Sequence, residues 1–208
     1  MLPYSVQEIY GFRKSGKFHE AKQKYNEIYH LYGEISVRSE IVPGFIITED
    51  SNSGYDFFAK LAEQKNIKCI SASGKSNVIK KLQDSENVTE TRLVIVDGAA
   101  FGSEMKDVDE YLKVYENVVL YAPESFEWLL LSSAVIPNAK VEEILQKPED
   151  YIDCKEYVSW ERFFTAVLTE KTQNSLVWTY SKKKLPKAYL APKVIGAVKK
   201  LMKLVIWE

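Results

Sequence analysis

From Val42 onward, short apolar runs alternate along the chain with longer segments whose apolar residues recur every three or four positions. The runs Gly44-Phe45-Ile46-Ile47-Thr48, Ile67-Lys68-Cys69-Ile70-Ser71, Leu93-Val94-Ile95-Val96 and Asn117-Val118-Val119-Leu120-Tyr121 predict four strands. Between and after them, helical spacing carries Phe57, Phe58 and Leu61, then Val78, Ile79 and Leu82, then Met105, Val108, Tyr111, Leu112 and Tyr115, and finally Glu124 to Ser133, with Pro123 suited to a first helical turn. Such an alternation predicts an α/β fold built on a mostly parallel, Rossmann-like sheet with helices on both faces. Right-handed crossovers then bring the strand ends near 49, 72, 97 and 122 to one rim, where folds of this class keep their chemistry.

The flanks read differently. Residues 5 to 33 predict a helical hairpin turning at Ser15-Gly16-Lys17, which sets residues 1–40 apart from the α/β core at 41–136. Gly16 to Ala21 with Tyr25 is similar to the turn and second helix of a tetratricopeptide repeat, but no second copy follows at the expected period. Residues 137–208 predict a helical extension: a short helix at Val141 to Gln146, an amphipathic one at Val158 to Thr169, an extended or strand segment at Leu176 to Tyr180, and a last helix from Pro192. The basic run Lys182-Lys183-Lys184 and the lysines of the last helix read as a solvated face or as a contact for nucleic acid or another protein.

Composition narrows the classes. Among 208 residues, 46% are hydrophobic and 27% charged, the values of a globular chain, and 28 basic against 29 acidic side chains exclude a protein devoted to coating phosphate backbones. Cys69 and Cys154 form no Cys-x-x-Cys pair, which argues against structural zinc. No run approaches the ~18 apolar residues of a membrane helix, and the expectation is a cytoplasmic location without membrane contact.

Two motifs carry candidate chemistry. Gly74-Lys75-Ser76 sits at a strand-to-helix turn and has the residues to hold a phosphate by its amides and a lysine, but the first glycine of a nucleotide-hydrolysing P-loop would fall at Cys69. No guanine-reading Asn-Lys-x-Asp occurs either. The second motif is a set of carboxylates. Glu49 and Asp97 end strands at the rim, and Glu127 lies in the helix leaving it. They can hold Mg²⁺ together, or Glu49 and Asp97 can serve as helix N-terminal caps; spacing leaves both open and leans to the caps.

Taken in order, strand-Glu49, Asp56, Gly74-Lys75-Ser76-Asn77, strand-Asp97-Gly98-Ala99-Ala100-Phe101-Gly102 and Glu124-Ser125-Phe126-Glu127-Trp128-Leu129-Leu130 resemble a Toprim domain, of the kind in overcoming-lysogenization-defect nucleases and DUF4435-type proteins. The similarity spans about residues 42 to 131. It implies an Mg²⁺-dependent, nucleic-acid phosphodiester-cleaving protein acting with a partner ATPase in defence against mobile DNA. Glu49 and Asp97 would be catalytic, Gly74, Lys75 and Ser76 would contact phosphate, and Asp97, Glu104 and Glu127 would hold the metal. The chain departs from the pattern in two places: the Glu-to-Asp interval is stretched to Glu49 through Asp56, and the second carboxylate of the family's Asp-x-Asp is Ala99, leaving Asp50 or Glu104 to supply the missing oxygen. The alternative implied is a catalytically degenerate module that binds a protein or a phosphate ligand.

Overall fold

The computed structural model describes residues 40–207 apart from 99, 102, 103, 137, 138, 153–155, 158 and 204. The expected amino-terminal hairpin, Ala99 and Cys154 therefore lie outside the described residues. Strands β1 (Phe45–Thr48), β2 (Lys68–Ser71), β3 (Arg92–Ile95) and β4 (Val118–Tyr121) form one sheet, all parallel, in the order β2-β1-β3-β4. Helices α1 (Ser53–Glu63), α2 (Val78–Asp84), α3 (Met105–Val114) and α4 (Phe126–Ser132) follow the strands in turn. Beyond them come α5 (Ala139–Gln146), α6 (Trp160–Thr172) and α7 (Pro192–Leu201).

The alternation of side chains along each strand sorts the core into two layers. Ile46, Leu93, Ile95 and Val119 face α1, α4, α6 and α7 in one cluster. Phe45, Ile47, Val94, Val118 and Leu120 face α2 and α3 in the other. Both faces are thus covered, which is why the strands read as continuous apolar runs rather than as alternating ones. The crossover from β1 to β2 runs outward along one face, and those from β2 to β3 and β3 to β4 run the opposite way along the other, as right-handed connections require. The reversal puts a switch point between β1 and β3, whose carboxyl ends lie side by side with Thr48 paired to Ile95.

Two local expectations are corrected. Leu176 to Tyr180 is a tight turn and not a strand: the Trp178 N–H bonds to the Ser175 hydroxyl at 3.0 Å and the Thr179 N–H to the Ser175 carbonyl at 3.2 Å, so the backbone is satisfied within the turn. The helix after β4 starts at Phe126, not at Pro123, because the Ser125 hydroxyl accepts the Trp128 N–H and caps it.

At the amino edge of the sheet, Arg92 is the largest fully buried side chain. Among the described residues, no carboxylate pairs with it. Its guanidinium donates to the carbonyls of Leu82 and Ser85 at the end of α2 (3.1 and 3.0 Å) and to the Asn117 side-chain oxygen (3.1 Å), beside the stacked rings of Tyr111 and Tyr115. A cation against the last carbonyls of a helix is favourable, and here it also ties α2 to β3 and to the turn before β4. Replacing it by an apolar side chain removes these charge-assisted bonds; the Leu82 carbonyl keeps its Ser85 and Tyr111 donors and the Ser85 carbonyl keeps the Val88 N–H, while the Asn117 oxygen loses the guanidinium. Arg92→Met is expected to lower stability by about 2–4 kcal/mol, measured by urea unfolding; a change within about 0.5 kcal/mol would mean that the guanidinium does not carry this edge.

Candidate functional site

Glu49 is the first residue after β1 and Asp97 the second after β3, so the switch point sets them next to each other. The Asp97 backbone N–H donates to the Glu49 carboxylate at 3.0 Å. Asp97 in turn accepts the Phe126 N–H at 3.1 Å, and so sits on the first turn of α4. Asp50 accepts the Tyr55 N–H at 3.1 Å in the first turn of α1, with Gly54 packed so closely that a Cβ there would lie 3.0 Å from the Asp50 carboxylate. The capping expected of Glu49 and Asp97 is thus shared differently: Asp50 serves the helix after β1, Asp97 serves a helix two elements on, and Glu49 bonds to the neighbouring turn.

Glu49, Asp50 and Asp97 line a cavity of about 20 Å³, room for roughly one water-sized occupant. Phe58, Ile95, Pro123, Phe126 and Leu129 are among the apolar residues of its wall, so the carboxylates are short of water. Burial pushes Glu49 up to about 7, with Glu161 and Asp50 adding to the rise and the Asp97 N–H and Lys75 opposing it. Asp50 is raised by burial and by Glu127. Asp97 stands well above the carboxylate range through burial, Glu127, Glu161 and Glu49. Several carboxylates therefore share one poorly hydrated volume, an arrangement whose cost is typical of functional sites.

The extension supplies the remaining partners, and the sequence did not point to them. Glu127, in the first turn of α4, is 1% exposed. Its Oε1 accepts the Tyr180 hydroxyl at 2.7 Å, while its Oε2 is buried without a hydrogen-bond partner. Because Tyr180 donates to Glu127, the Ser53 hydroxyl, 2.7 Å away, donates to Tyr180. The Lys182 ammonium bonds to Glu161 at the start of α6 and lies 3.8 Å from Glu127. Burial alone would lower Lys182, but Glu127, Glu161 and Asp97 outweigh it and raise it. The same segment is pinned by its backbone: the Lys182 carbonyl accepts the Ser53 N–H at 3.0 Å, and the Leu185 N–H donates to Asp56 at 3.0 Å. Asp56 thus anchors this strap.

The other expected residues fall around this centre in different ways. Gly74, at φ 124°, turns the chain so that its N–H reaches the Glu49 carbonyl at 2.7 Å, a conformation open to glycine. The Lys75 ammonium donates to the Ala100 carbonyl at 2.9 Å and lowers Glu49, so it braces the turn after Asp97; Ser76 is exposed. Glu104 heads α3, which packs on the opposite face of the sheet from α4 and α6. Among the described residues, no three acidic, histidine or cysteine side chains stand at metal-ligating spacing. The carboxylate oxygens here, the buried Oε2 of Glu127 without a hydrogen-bond partner among them, are of the donor type that a hard divalent cation takes.

The raised Glu49 has a stability consequence. Its proton is held more tightly in the folded state than at the ordinary value of 4.5, so the folded state is favoured at acid pH and loses on the order of 3 kcal/mol as pH rises from 4.5 through about 7. Glu49→Gln keeps an oxygen for the Asp97 N–H and removes the charge. It is expected to be more stable than wild type at pH 8, with the gap closing at pH 5, by urea unfolding at both; parallel pH dependence in the two proteins would refute the assignment. Comparison with protein families, with curated proteins and with solved structures finds no match to this chain, and the reading of the site rests on its own residues.

Proposed function

We propose that this chain is a Toprim-like, Mg²⁺-dependent protein that cleaves nucleic-acid phosphodiester bonds together with a partner ATPase. The observation that carries the reading is the meeting of Glu49 and Asp97, far apart in sequence, in one desolvated cavity at the switch point of a parallel sheet, with the buried Glu127 in electrostatic reach of Asp97. Glu49, near 7, is poised to take and return a proton at physiological pH. Asp97 and Glu127 would hold the cation, with Asp50 on the wall of the same cavity as Asp97. Bound there, Mg²⁺ would neutralise charge on a phosphate oxygen and orient the attacking group. Lys75 and the Gly74 turn lie beside Glu49 and would contact the phosphate on exchanging their present bonds to the Ala100 and Glu49 carbonyls.

A second reading has its own support. Ala99 stands where the resembled family carries its second metal-binding carboxylate, and Asp97 already serves α4 as a cap. These favour a rim that binds a phosphate ligand or a protein without cutting.

One pair of assays tests both. Mn²⁺ and Mg²⁺ binding by calorimetry is paired with nicking of supercoiled plasmid, on wild type and on Asp97→Asn, which keeps an acceptor for the Phe126 N–H while losing the charge. Metal binding that is weakened about tenfold or more in Asp97→Asn, with nicking lost alongside, is the expected result. Metal binding without nicking favours the binding module, and absence of metal binding at millimolar concentration sinks the nuclease reading.

A further inference from the structure

We propose that the exposed lysines of the strap, Lys183 and Lys184, with Lys187 just beyond it, form a track for the phosphate backbone of a nucleic acid beside the rim. The inference rests on the reading above for a nucleic acid rather than another polyanion, and it needs no metal at the rim.

Charge is segregated along the chain. Residues 171–207 hold nine lysines and no aspartate or glutamate, whereas residues 1–170 hold 28 acidic side chains against 19 basic. The balanced total therefore conceals a basic segment, and such a segment is the electrostatic footprint of a phosphate-binding face. Its lysines divide by what they meet. Lys171 pairs with Glu170, and Lys182 with Glu161. Lys183, Lys184 and Lys187 are exposed, and among the described residues no carboxylate pairs with them, although the rest of the chain has acids in excess.

Placement is the second ground. The strap is anchored on both sides of the lysine pair: the Lys182 carbonyl accepts the Ser53 N–H and its ammonium bonds to Glu161, while the Leu185 N–H donates to Asp56 and the Leu185 side chain is buried. Lys183 and Lys184 are thus exposed on backbone that cannot drift from the rim. Lys187 opens the 3-10 turn Lys187–Leu190, which is fastened by the Tyr189 hydroxyl on the Trp178 carbonyl at 2.6 Å. From Lys183 to Lys187 the chain spans at most about 14 Å, roughly four nucleotides along a strand. A fixed row of point charges of this length holds phosphates without reading bases. An anionic membrane would meet the same lysines, but its binding also needs buried apolar area, and the exposed large apolar side chains of this region are Leu176 and Val177 alone among the described residues. That favours the nucleic acid.

The test is fluorescence anisotropy of a short labelled DNA, single-stranded and as a duplex, in EDTA over a series of salt concentrations. Wild type is compared with Lys183→Gln/Lys184→Gln and with Lys80→Gln/Lys81→Gln, a matched pair of adjacent lysines on α2 at the other face of the sheet. The strap pair is expected to weaken binding about tenfold at low salt and to lower the slope of log affinity against log salt by about 2. Adding Lys187→Gln should take off about one more, and the α2 pair should change neither quantity.

Lys183→Arg/Lys184→Arg keeps the charges and should bind as wild type does, which separates lost charge from a disturbed fold. No DNA binding by wild type, or equal weakening by the strap and α2 pairs, overturns the track. So does loss of binding to phosphatidylserine vesicles in the strap pair with DNA binding unchanged, since the surface would then be a membrane contact. Metal-free DNA binding that depends on the strap, without nicking when Mg²⁺ is added, supports the track while the cleavage reading fails.

Discussion

The adjacency of β1 and β3 in a parallel sheet is the constraint on which the rest depends. In the order β2-β1-β3-β4 the chain leaves β1 toward one edge and leaves β3 toward the other, so neither crossover helix fills the gap between their carboxyl ends. Glu49 and Asp97 fall into that gap and are joined by the Asp97 N–H. Once there, they can be neither well hydrated, because Phe58, Phe126 and Leu129 wall the cavity, nor well separated, because the strand register fixes them. Their raised proton affinities follow from that geometry.

The carboxy-terminal extension answers this frustration. Its helices share a single apolar core with one face of the sheet: Phe163, Phe164, Val167 and Leu168 of α6 and Val194, Ile195 and Val198 of α7 pack with α1 and α4. That packing holds residues 180–185 across the starts of α1 and α4, and only then do Tyr180, Lys182 and Glu161 reach the rim. The extension is therefore part of the site as well as part of the core. The two edges of the sheet contrast in this respect. At the amino edge a buried guanidinium is spent on neutral carbonyls and an amide, and its role is to fasten elements. At the carboxyl edge acids outnumber cations, and the imbalance marks the place where chemistry is expected.

Much of the core was legible because its signals are local. Four apolar runs with helical segments between them specify strands buried on both faces, and such strands pair in parallel through crossovers; the rim with Glu49 and Asp97 followed from that alone. Boundaries shifted where a single side chain decided them, as when the Ser125 hydroxyl, and not Pro123, set the start of α4. Leu176 to Tyr180 looked extended because alternation in a five-residue stretch does not distinguish a strand from a turn that satisfies its own backbone.

The partners at the rim were not legible, for a different reason. Glu161 reads as one polar residue on an amphipathic helix, Tyr180 as an aromatic in a short ambiguous segment, and Lys182 as the first of three lysines on a solvated face. Nothing in their neighbours distinguishes them, since each gains its role from a contact more than twenty residues away. By itself the sequence determined the α/β layering, the parallel strands and the delivery of two carboxylates to one edge, because periodicity and chirality are properties of short stretches. Only the tertiary structure decided which charges share that volume, that Asp97 caps α4, and that a lysine from the far end of the chain stands among the acids, because electrostatic energy depends on distances and on burial that no short stretch encodes.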